Sequence, residues 1–395
     1  MRLIFFYLVV LLMTGCGGGG SSSGTAPTPV PASPVPQGNN AMSVTVDAGP
    51  EGRNVNRLYA TVTVCAPGST SLCQTIDHVL VDTGSIGLRL LASELRADVA
   101  QTLLTGAQGL PLLNCAKFID NTYAWGPLAS VDVKLAGKTA ANLPIQLMGH
   151  PAYTSVDAAC PGGSRLDTVA GLGGKGVLGL GLFKQDCGPG CVTTANNNVY
   201  FTCNSAACTS VQPSLASLDQ QVTHPIARFD GDNNGLLIDL PAASAQGNTS
   251  LTGAMVFGVG TRANNQLTAS KSLSTSANGY VTTVLAGQSL RRSFIDTGSN
   301  ALFFDSPTLP LCPGSATIRF YCPSTRVNAA ATLAGNNGAM QPVTLAIDNA
   351  LALFATPSNA VLPTLAGNLA DPTGFDWGLP FFYGRRVFLG IEGEA

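Results

Sequence analysis

The stretch VDTGSIGL at residues 81–88 decides the fold, because a near copy, IDTGSNAL, returns at residues 295–302. By average residue usage, one such match arises by chance in about one chain in a hundred of this length, so two copies indicate an internal repeat. Each copy supplies one carboxylate, Asp82 or Asp296. Two carboxylates brought together by a two-fold repeat cannot both ionise easily. They share a proton, so that one serves as base and the other as acid.

The repeat continues downstream of each copy. Residues 176–181 read GVLGLG, and residues 375–382 read FDWGLPFF. Both stretches predict an apolar strand with a central glycine, and a glycine inside a strand allows another backbone to pass close by. Each half of the chain therefore has the same order: a strand, an Asp-Thr-Gly-Ser loop, a long connection and an apolar strand with a glycine.

Composition predicts a large, β-rich protein. A chain of 395 residues can bury a sizeable core, which we expect to divide into two lobes. Segments rich in Val, Thr, Leu and Ala alternate with turns that use many of the 45 glycines and 25 prolines, a pattern typical of short strands with few long helices. The net charge is -2 and there is no basic stripe, so we expect no nucleic-acid partner.

The repeated loops and strands resemble those of the pepsin-like aspartic proteases, over most of residues 41–395. The resemblance implies a mostly β, bilobal fold with a cleft between two related β lobes. We place the N-terminal lobe at residues 41–225 and the C-terminal lobe at residues 226–395. The chain also resembles a group of bacterial lipoproteins of unassigned function that carry two Asp-Thr-Gly-Ser motifs.

The resemblance assigns roles to both loops. It implies that Asp82 and Asp296 form a catalytic dyad that needs neither a metal nor an organic cofactor. The remaining loop residues would support this dyad. The threonines would hydrogen-bond across the loops, the glycines would let the backbone turn, and the serines would donate to the outer carboxylate oxygens; these residues are Thr83, Gly84, Ser85, Thr297, Gly298 and Ser299.

The resemblance also predicts a flap, a hairpin that closes over the substrate. Tyr123 falls on the flap tyrosine and Gly126 on a flap glycine, and Trp125 would help to cover the substrate. Ala124 replaces the glycine that usually follows the tyrosine. The alternative is a surface hairpin whose aromatic pair packs on the core.

The function implied is an aspartic endopeptidase that acts on a peptide or protein substrate. A second hypothesis is a non-catalytic binding lipoprotein that uses the cleft for a peptide, a glycan or a partner protein. Arg89, which stands where the family commonly has a tryptophan, and the neutral tether in place of a basic prosegment favour that hypothesis. A third is a glycosidase, which requires two carboxylates at least ~5 Å apart.

The N-terminus predicts export to the bacterial cell envelope. Arg2 precedes an apolar run at residues 3–13, and Met13-Thr14-Gly15-Cys16 resembles a lipoprotein cleavage box, so residues 1–16 are assigned as a signal peptide with lipidation at Cys16. The alternative is an ordinary signal peptide. Residues 17–40 are a Gly/Ser/Pro tether. We expect a monomer held by its lipid anchor in the periplasm or at the outer membrane.

Ten cysteines remain after Cys16, an even number that suits an oxidising compartment. Connectivity does not follow from sequence alone. Closeness in the chain suggests the pairs Cys65–Cys73, Cys187–Cys191, Cys203–Cys208 and Cys312–Cys322, which leaves Cys115–Cys160. The alternative is a zinc site on the four cysteines between residues 187 and 208.

Two further motifs are weak. GLGGKG at residues 171–176 fits the dinucleotide-binding pattern but lacks a clear preceding strand and a plausible acidic partner. DGDNNG at residues 230–235 resembles the start of a calcium loop, but Pro241 stands where the closing Glu should be. A hairpin turn between residues 227–229 and 236–238 is the preferred prediction there.

Overall fold

The computed structural model describes residues 38–100, 102–106, 109–160, 162–267, 271–314 and 320–394. The predicted signal peptide, the lipidation residue Cys16 and the tether up to residue 37 lie outside these ranges. Within them, no helix is long and apolar enough to cross a membrane.

Strands dominate the described residues, which hold only three short α-helices, as the composition predicted. The first half of the chain contains β1 (Ala41–Val46), β2 (Leu58–Cys65), β3 (Cys73–Asp82), β4 (Ile86–Leu91), β5 (Leu112–Lys117), β6 (Tyr123–Leu135), β7 (Lys138–Met148), α1 (Val169–Leu172), β8 (Gly176–Leu180), α2 (Pro189–Thr193), β9 (Tyr200–Cys203) and β10 (Val211–Pro213). The second half contains β11 (Gly235–Leu240), β12 (Leu251–Phe257), β13 (Val281–Leu285), β14 (Gln288–Ile295), β15 (Leu302–Phe304), β16 (Val327–Ala334), β17 (Met340–Ile347), α3 (Ala350–Phe354), β18 (Ala366–Gly367), β19 (Gly374–Trp377) and β20 (Arg385–Gly390).

Two sheets build the two lobes. The larger sheet has the order β10-β9-β5-β6-β7-β4-β8-β3-β2-β1-β12-β11-β20, and the smaller has the order β17-β16-β13-β14-β19-β15-β18. The mostly β, bilobal architecture is therefore confirmed. The larger sheet takes β11, β12 and β20 from the second half of the chain, so it crosses the lobe boundary proposed between residues 225 and 226, and that boundary stays a prediction.

The internal repeat is visible in the strand pairing. In the first half, β3 runs parallel to β8, which pairs antiparallel with β4. In the second half, β14 runs parallel to β19, which pairs antiparallel with β15. The strand inserted between the two arms of each Asp-Thr-Gly-Ser loop carries a glycine near its C-terminal end, Gly179 within β8 and Gly378 directly after β19. A Cβ on Gly179 would lie 2.6 Å from the carbonyl carbon of Ile86, and one on Gly378 would lie 2.1 Å from the oxygen of Ala301.

Aromatic side chains fill the core behind the second loop. The rings of Phe375 and Trp377 stack with their centroids 4.1 Å apart, and Phe304 stacks on Phe375 at 4.8 Å. The indole Nε1 of Trp377 donates to Thr283 Oγ1 at 2.8 Å, so the one polar atom of this buried ring is satisfied. This packing holds β19 rigidly beside the loop.

All five predicted disulfides are present: Cys65–Cys73, Cys115–Cys160, Cys187–Cys191, Cys203–Cys208 and Cys312–Cys322. The alternative of a zinc site between residues 187 and 208 is wrong, because a disulfide sulfur is not a thiolate and does not bind zinc in that way.

The hairpin predicted around residues 230–235 is wrong. Residues 226–228 form a 3-10 helix instead of a strand, and β11 pairs with β12 and β20. Asp232 is buried in this segment and lies 2.7 Å from Lys138 Nζ and 2.6 Å from Arg262 Nη2. Two cations already neutralise the carboxylate, so the calcium alternative has no support.

The weak dinucleotide motif also has a structural explanation. Helix α1 precedes β8, whereas a dinucleotide-binding turn needs a strand followed by a helix. Gly173 ends α1 in the left-handed conformation, with a φ of 75°. The need for this conformation at the helix end explains why residue 173 is a glycine, and no bound dinucleotide is required to explain it.

Candidate active site

The two Asp-Thr-Gly-Ser loops face each other at the junction of the lobes. Asp82 is the last residue of β3, and Asp296 directly follows β14. Each carboxylate accepts a hydrogen bond inside its own loop, from the amide of Gly84 to Asp82 Oδ1 at 2.8 Å and from the amide of Gly298 to Asp296 Oδ1 at 2.7 Å. The repeat in the sequence has thus become a pair of equivalent carboxylates.

Thr83 and Thr297 cross-link the loops in both directions. The amide of Thr83 donates to Thr297 Oγ1 at 3.1 Å, and the amide of Thr297 donates to Thr83 Oγ1 at 3.0 Å. Each hydroxyl then donates beneath the opposite loop, that of Thr83 to the carbonyl of Ile295 at 3.0 Å and that of Thr297 to the carbonyl of Val81 at 2.7 Å. These four bonds fix the relative position of the two carboxylates.

Gly84 and Gly298 make room for the opposite carboxylate. A Cβ on Gly84 would lie 2.8 Å from Asp296 Cγ, and a Cβ on Gly298 would lie 2.6 Å from Asp82 Oδ1. Neither glycine has a positive φ. Their requirement is therefore the missing side chain rather than the conformational freedom that the sequence suggested.

Ser85 and Ser299 contact the second oxygen of each carboxylate. Ser85 Oγ donates to Asp82 Oδ2 at 2.5 Å, and Ser299 Oγ lies 2.9 Å from Asp296 Oδ2. Each carboxylate is therefore oriented through both of its oxygens by its own loop.

The carboxylates are close enough to share a proton. Burial, the negative charge of Asp82 and a hydrogen bond to the Asp82 side chain raise the pKa of Asp296 to about 8. Two coupled carboxyls titrate as a unit, so this pKa describes one proton shared by the pair at neutral pH. The hydrogen bond between the two side chains also contradicts the glycosidase hypothesis, which requires carboxylates at least ~5 Å apart.

A cleft of about 2150 Å³ opens above the dyad and is lined by both lobes. On the N-terminal side, its wall includes the tip of the β5–β6 hairpin, residues 117–122. Ile119 at this tip is 64% exposed. On the C-terminal side, residues 271–281 and the segment from Arg385 to Glu394 line the cleft.

The residues predicted for the flap lie on the β6 arm of that hairpin, directly after its tip. Tyr123 starts β6, and its backbone pairs with Ser164 and Leu166. Trp125 is fully buried, packs on Phe201 with ring centroids 5.3 Å apart and donates to the carbonyl of Tyr153. Neither side chain is among those that line the cleft.

Gly126 lies further along the same arm, where a Cβ would come 1.8 Å from the carbonyl oxygen of Leu147. The hairpin matches the predicted element, but its cleft-facing part is residues 117–122.

Two polar residues beside the dyad were not predicted. Arg57 donates from Nη1 to the carbonyl of Gly298 at 2.6 Å. Asp376, in the centre of β19, places its Oδ2 2.6 Å from Ser299 Oγ. The sequence signal that could have identified Asp376 is that it is the single acidic residue in the otherwise apolar strand before Gly378.

Arg89 does not reach the dyad. It is buried within the N-terminal lobe and donates from Nη1 to Asn114 and Gln146, both at 2.6 Å, and from Nη2 to Asp186 at 3.0 Å. These partners accommodate an arginine at the position where the pepsin-like proteases commonly have a tryptophan. It therefore carries no argument against a working site.

The paired loops, their threonine cross-links and the inserted glycine strands give the chain the pepsin-like fold. The chain belongs to the family described as protein of unknown function (DUF3443), whose model matches residues 36–395. No curated protein matches it. Among solved structures, it is similar to the aspartic proteinase from Irpex lacteus, with a TM-score of 0.49 and 14% identity over 90% of this chain and 98% of that chain.

Proposed function

We propose that the protein is a membrane-tethered aspartic endopeptidase. The observation that carries this proposal is the pair of proton-sharing carboxyls, Asp82 and Asp296, at the floor of a long cleft. A peptide bond is very stable in water, and its hydrolysis needs one group to take a proton and another to give one. A pair with one proton and one negative charge supplies both groups at once.

In this mechanism a water molecule binds between the two carboxyls. The ionised carboxylate takes a proton from the water, whose oxygen attacks the carbonyl carbon of the peptide. The protonated carboxyl donates to the carbonyl oxygen and stabilises the charge that develops there. Collapse of the tetrahedral intermediate then returns a proton to the leaving amine, and the dyad recovers one proton.

The loops support this chemistry by preorganisation. The Thr83–Thr297 cross-links and the four donors to the carboxylate oxygens hold the dyad in place before substrate binds. Groups that are fixed in advance need no reorganisation in the transition state. The hairpin tip at residues 117–122 would cover the bound peptide and exclude water.

The tether completes the proposal. Lipidation of Cys16 would anchor the protein to a bacterial envelope membrane, and residues 17–40 would space the cleft from the surface. The five disulfides support an exported location, because disulfides persist in oxidising compartments.

A Cys16→Ser variant should lose metabolic labelling by a fatty acid and leave the membrane fraction. Unchanged labelling in that variant would overturn the anchor.

The test of the site is binding of a transition-state mimic. The full-length protein in detergent is mixed with a pool of peptides in which one peptide bond is replaced by a hydroxyl-bearing isostere, and bound peptides are identified by mass spectrometry. The hydroxyl would take the place of the water between the carboxyls, so we expect retention by the wild type and at least ~100-fold weaker binding by Asp82→Asn. Equal retention by both proteins would favour a non-catalytic binding role.

A further inference from the structure

Asp376 is a third carboxyl beside the dyad. In the register of β19 it lies between Phe294 of β14 and Phe303 of β15, and it is 1% exposed. Its Oδ2 lies 2.6 Å from Ser299 Oγ. Its Oδ1 is buried and has no hydrogen-bond partner in the described parts of the chain. An acidic side chain at such a position costs stability and calls for an explanation.

The internal repeat shows that Asp376 is particular to one loop. In the first half, β8 pairs Asp82 with Gly179 and Arg89 with Val177. In the second half, β19 pairs Ile295 with Trp377 and Phe303 with Asp376. The two registers superimpose when Val177 is matched to Asp376. The strand beside the N-terminal loop thus has the apolar residue Val177 at the position where the strand beside the C-terminal loop has Asp376.

The hydroxyl of Ser299 contacts two carboxyls but carries one hydrogen. Its Oγ lies 2.9 Å from Asp296 Oδ2 and 2.6 Å from Asp376 Oδ2. An ionised carboxylate only accepts, so with both carboxyls ionised one contact would join two acceptors. At least one of Asp296 and Asp376 therefore carries a proton. Ser85, by contrast, serves Asp82 and has no second carboxyl beside it in the described residues.

Burial and charge place that proton on Asp376. Burial, and then the negative charges of Asp296 and Asp82, raise the pKa of Asp376 well above its usual range. Burial and the charge of Asp82 also raise the pKa of Asp296, but Asp296 receives the amide of Gly298 and can receive the hydroxyl of Ser299, and both donors favour its ionised form.

Other charges near β19 are engaged elsewhere. On the neighbouring strand β14, Arg291 and Arg292 are exposed, and Arg292 pairs with Asp371 at 3.2 Å. Asp305, which follows β15, accepts from Asn368 at 2.8 Å. Arg57 donates to the carbonyl of Gly298. Within the described chain, no cation contacts the carboxyl of Asp376.

We propose that Asp376 is a positioning residue that remains protonated and, by donating to Ser299, commits the single hydroxyl hydrogen of Ser299 to Asp296 and so stabilises the singly ionised dyad. The chain of donors runs from Asp376 Oδ2 to Ser299 Oγ and from Ser299 Oγ to Asp296 Oδ2. The chain acts on the dyad through Asp296, and the one proton stays shared between Asp296 and Asp82. The effect of this chain on the rate rests on the proposed hydrolysis.

Two variants of Asp376 test whether it acts on Ser299 as a neutral hydrogen-bond donor or as a negative charge. Asp376→Val copies Val177 of the other loop and removes the donor, whereas Asp376→Asn keeps an N–H that can donate to Ser299. Loss of the donor destabilises the singly ionised dyad relative to the neutral dyad. The acidic limb of the kcat/KM profile should therefore move to higher pH by about one pH unit in Asp376→Val, and Asp376→Asn should rescue most of this shift. In a Ser299→Ala background, Asp376→Val should add nothing.

An equal shift in both variants would overturn the donor role, and so would an additional shift in the Ser299→Ala background. Circular dichroism checks that each variant is folded, and the Asp376→Asn comparison stands even if Asp376→Val does not fold.

Infrared spectroscopy tests the protonation state without any activity. The full-length wild type at pH 7 should show a carbonyl-stretch band of a buried protonated carboxyl that is missing in Asp376→Asn. Absence of that difference would overturn the inference, whether or not the protein hydrolyses peptides. The reverse outcome, with the band present and no hydrolysis by the wild type at any pH, would reject the proposed function and retain the protonated Asp376.

Discussion

At the residue scale, the dyad depends on hydrogen-bond donors that the chain repeats. One threonine hydroxyl both accepts from the opposite loop and donates beneath it, which neither alanine nor valine can do. Because these donors are buried, loss of one leaves an unsatisfied amide as well as a displaced carboxylate.

Thr297→Ala should therefore lower kcat more than it raises KM. The variant removes the acceptor of the Thr83 amide and the donor to Val81, and we expect a fall in kcat of about 100-fold with KM changed by about two-fold or less. Thr297→Ser keeps the hydroxyl and should recover most of the loss. Steady-state kinetics on one substrate peptide measures both. A change confined to KM in Thr297→Ala would show that the threonine serves binding instead.

Asp296 should make the folded state less stable as pH rises. Its pKa in the folded protein is about 8, above the usual 3.8, so the folded state binds more protons than the unfolded state between these values. The free energy of unfolding consequently falls as pH rises through this window. Asp296→Asn removes the effect.

We expect Asp296→Asn to be more stable than the wild type at pH 7, by roughly 1–3 kcal/mol, with little difference at pH 4. Thermal and urea unfolding at the two pH values measure this. A stability difference of the same size at both pH values would contradict the shared proton.

At the element scale, each loop is supported by an inserted strand whose glycine allows close contact. The sequence predicted this feature, because an apolar stretch with a glycine follows each loop after a long connection. It did not predict the cleft-facing tip of the β5–β6 hairpin. Tyr123 and Trp125 carried the aromatic signal, but strand pairing places Lys117 opposite Tyr123 and leaves the turn at residues 118–122.

Gly179→Ala should destabilise the protein through backbone contact. The added Cβ would lie 2.6 Å from the carbonyl carbon of Ile86 and 2.7 Å from its nitrogen, and backbone cannot move aside as a side chain can. We expect a loss of about 2–3 kcal/mol. Gly190 in α2 is the matched control, since its Cβ would meet nothing within 4 Å. Gly190→Ala should be neutral or slightly stabilising, and equal losses in both variants would contradict the account.

At the scale of the whole molecule, the sequence predicted what is repeated locally and missed what depends on distant pairing. The two related lobes, the dyad and the near-neighbour disulfides followed from motifs and spacing. The joining of β1 to β12 could not, because Ala41 pairs with Val256 and no local pattern encodes that register. Asp376 was missed because it matters only through Ser299, which the fold brings next to it.

The disulfides should contribute to stability unequally. Cys115–Cys160 closes a separation of 45 residues, whereas Cys187–Cys191 closes one of 4. In the chain-entropy description, these restrict the unfolded state by about 4 and about 2 kcal/mol. The double variant Cys115→Ala/Cys160→Ala should therefore unfold at lower urea than Cys187→Ala/Cys191→Ala. The reverse order would show that strain or local packing outweighs loop length.

The central claim is that Asp82 and Asp296 hydrolyse peptide bonds. The most direct measurement is incubation of the full-length protein, with its disulfides oxidised, with a diverse peptide library from pH 3 to pH 8, beside Asp82→Asn, with cleavage read by mass spectrometry. We predict cleavage by the wild type and a loss of at least ~1000-fold in the variant. No cleavage at any pH by a protein shown to be folded, or equal cleavage by both proteins, would contradict the claim.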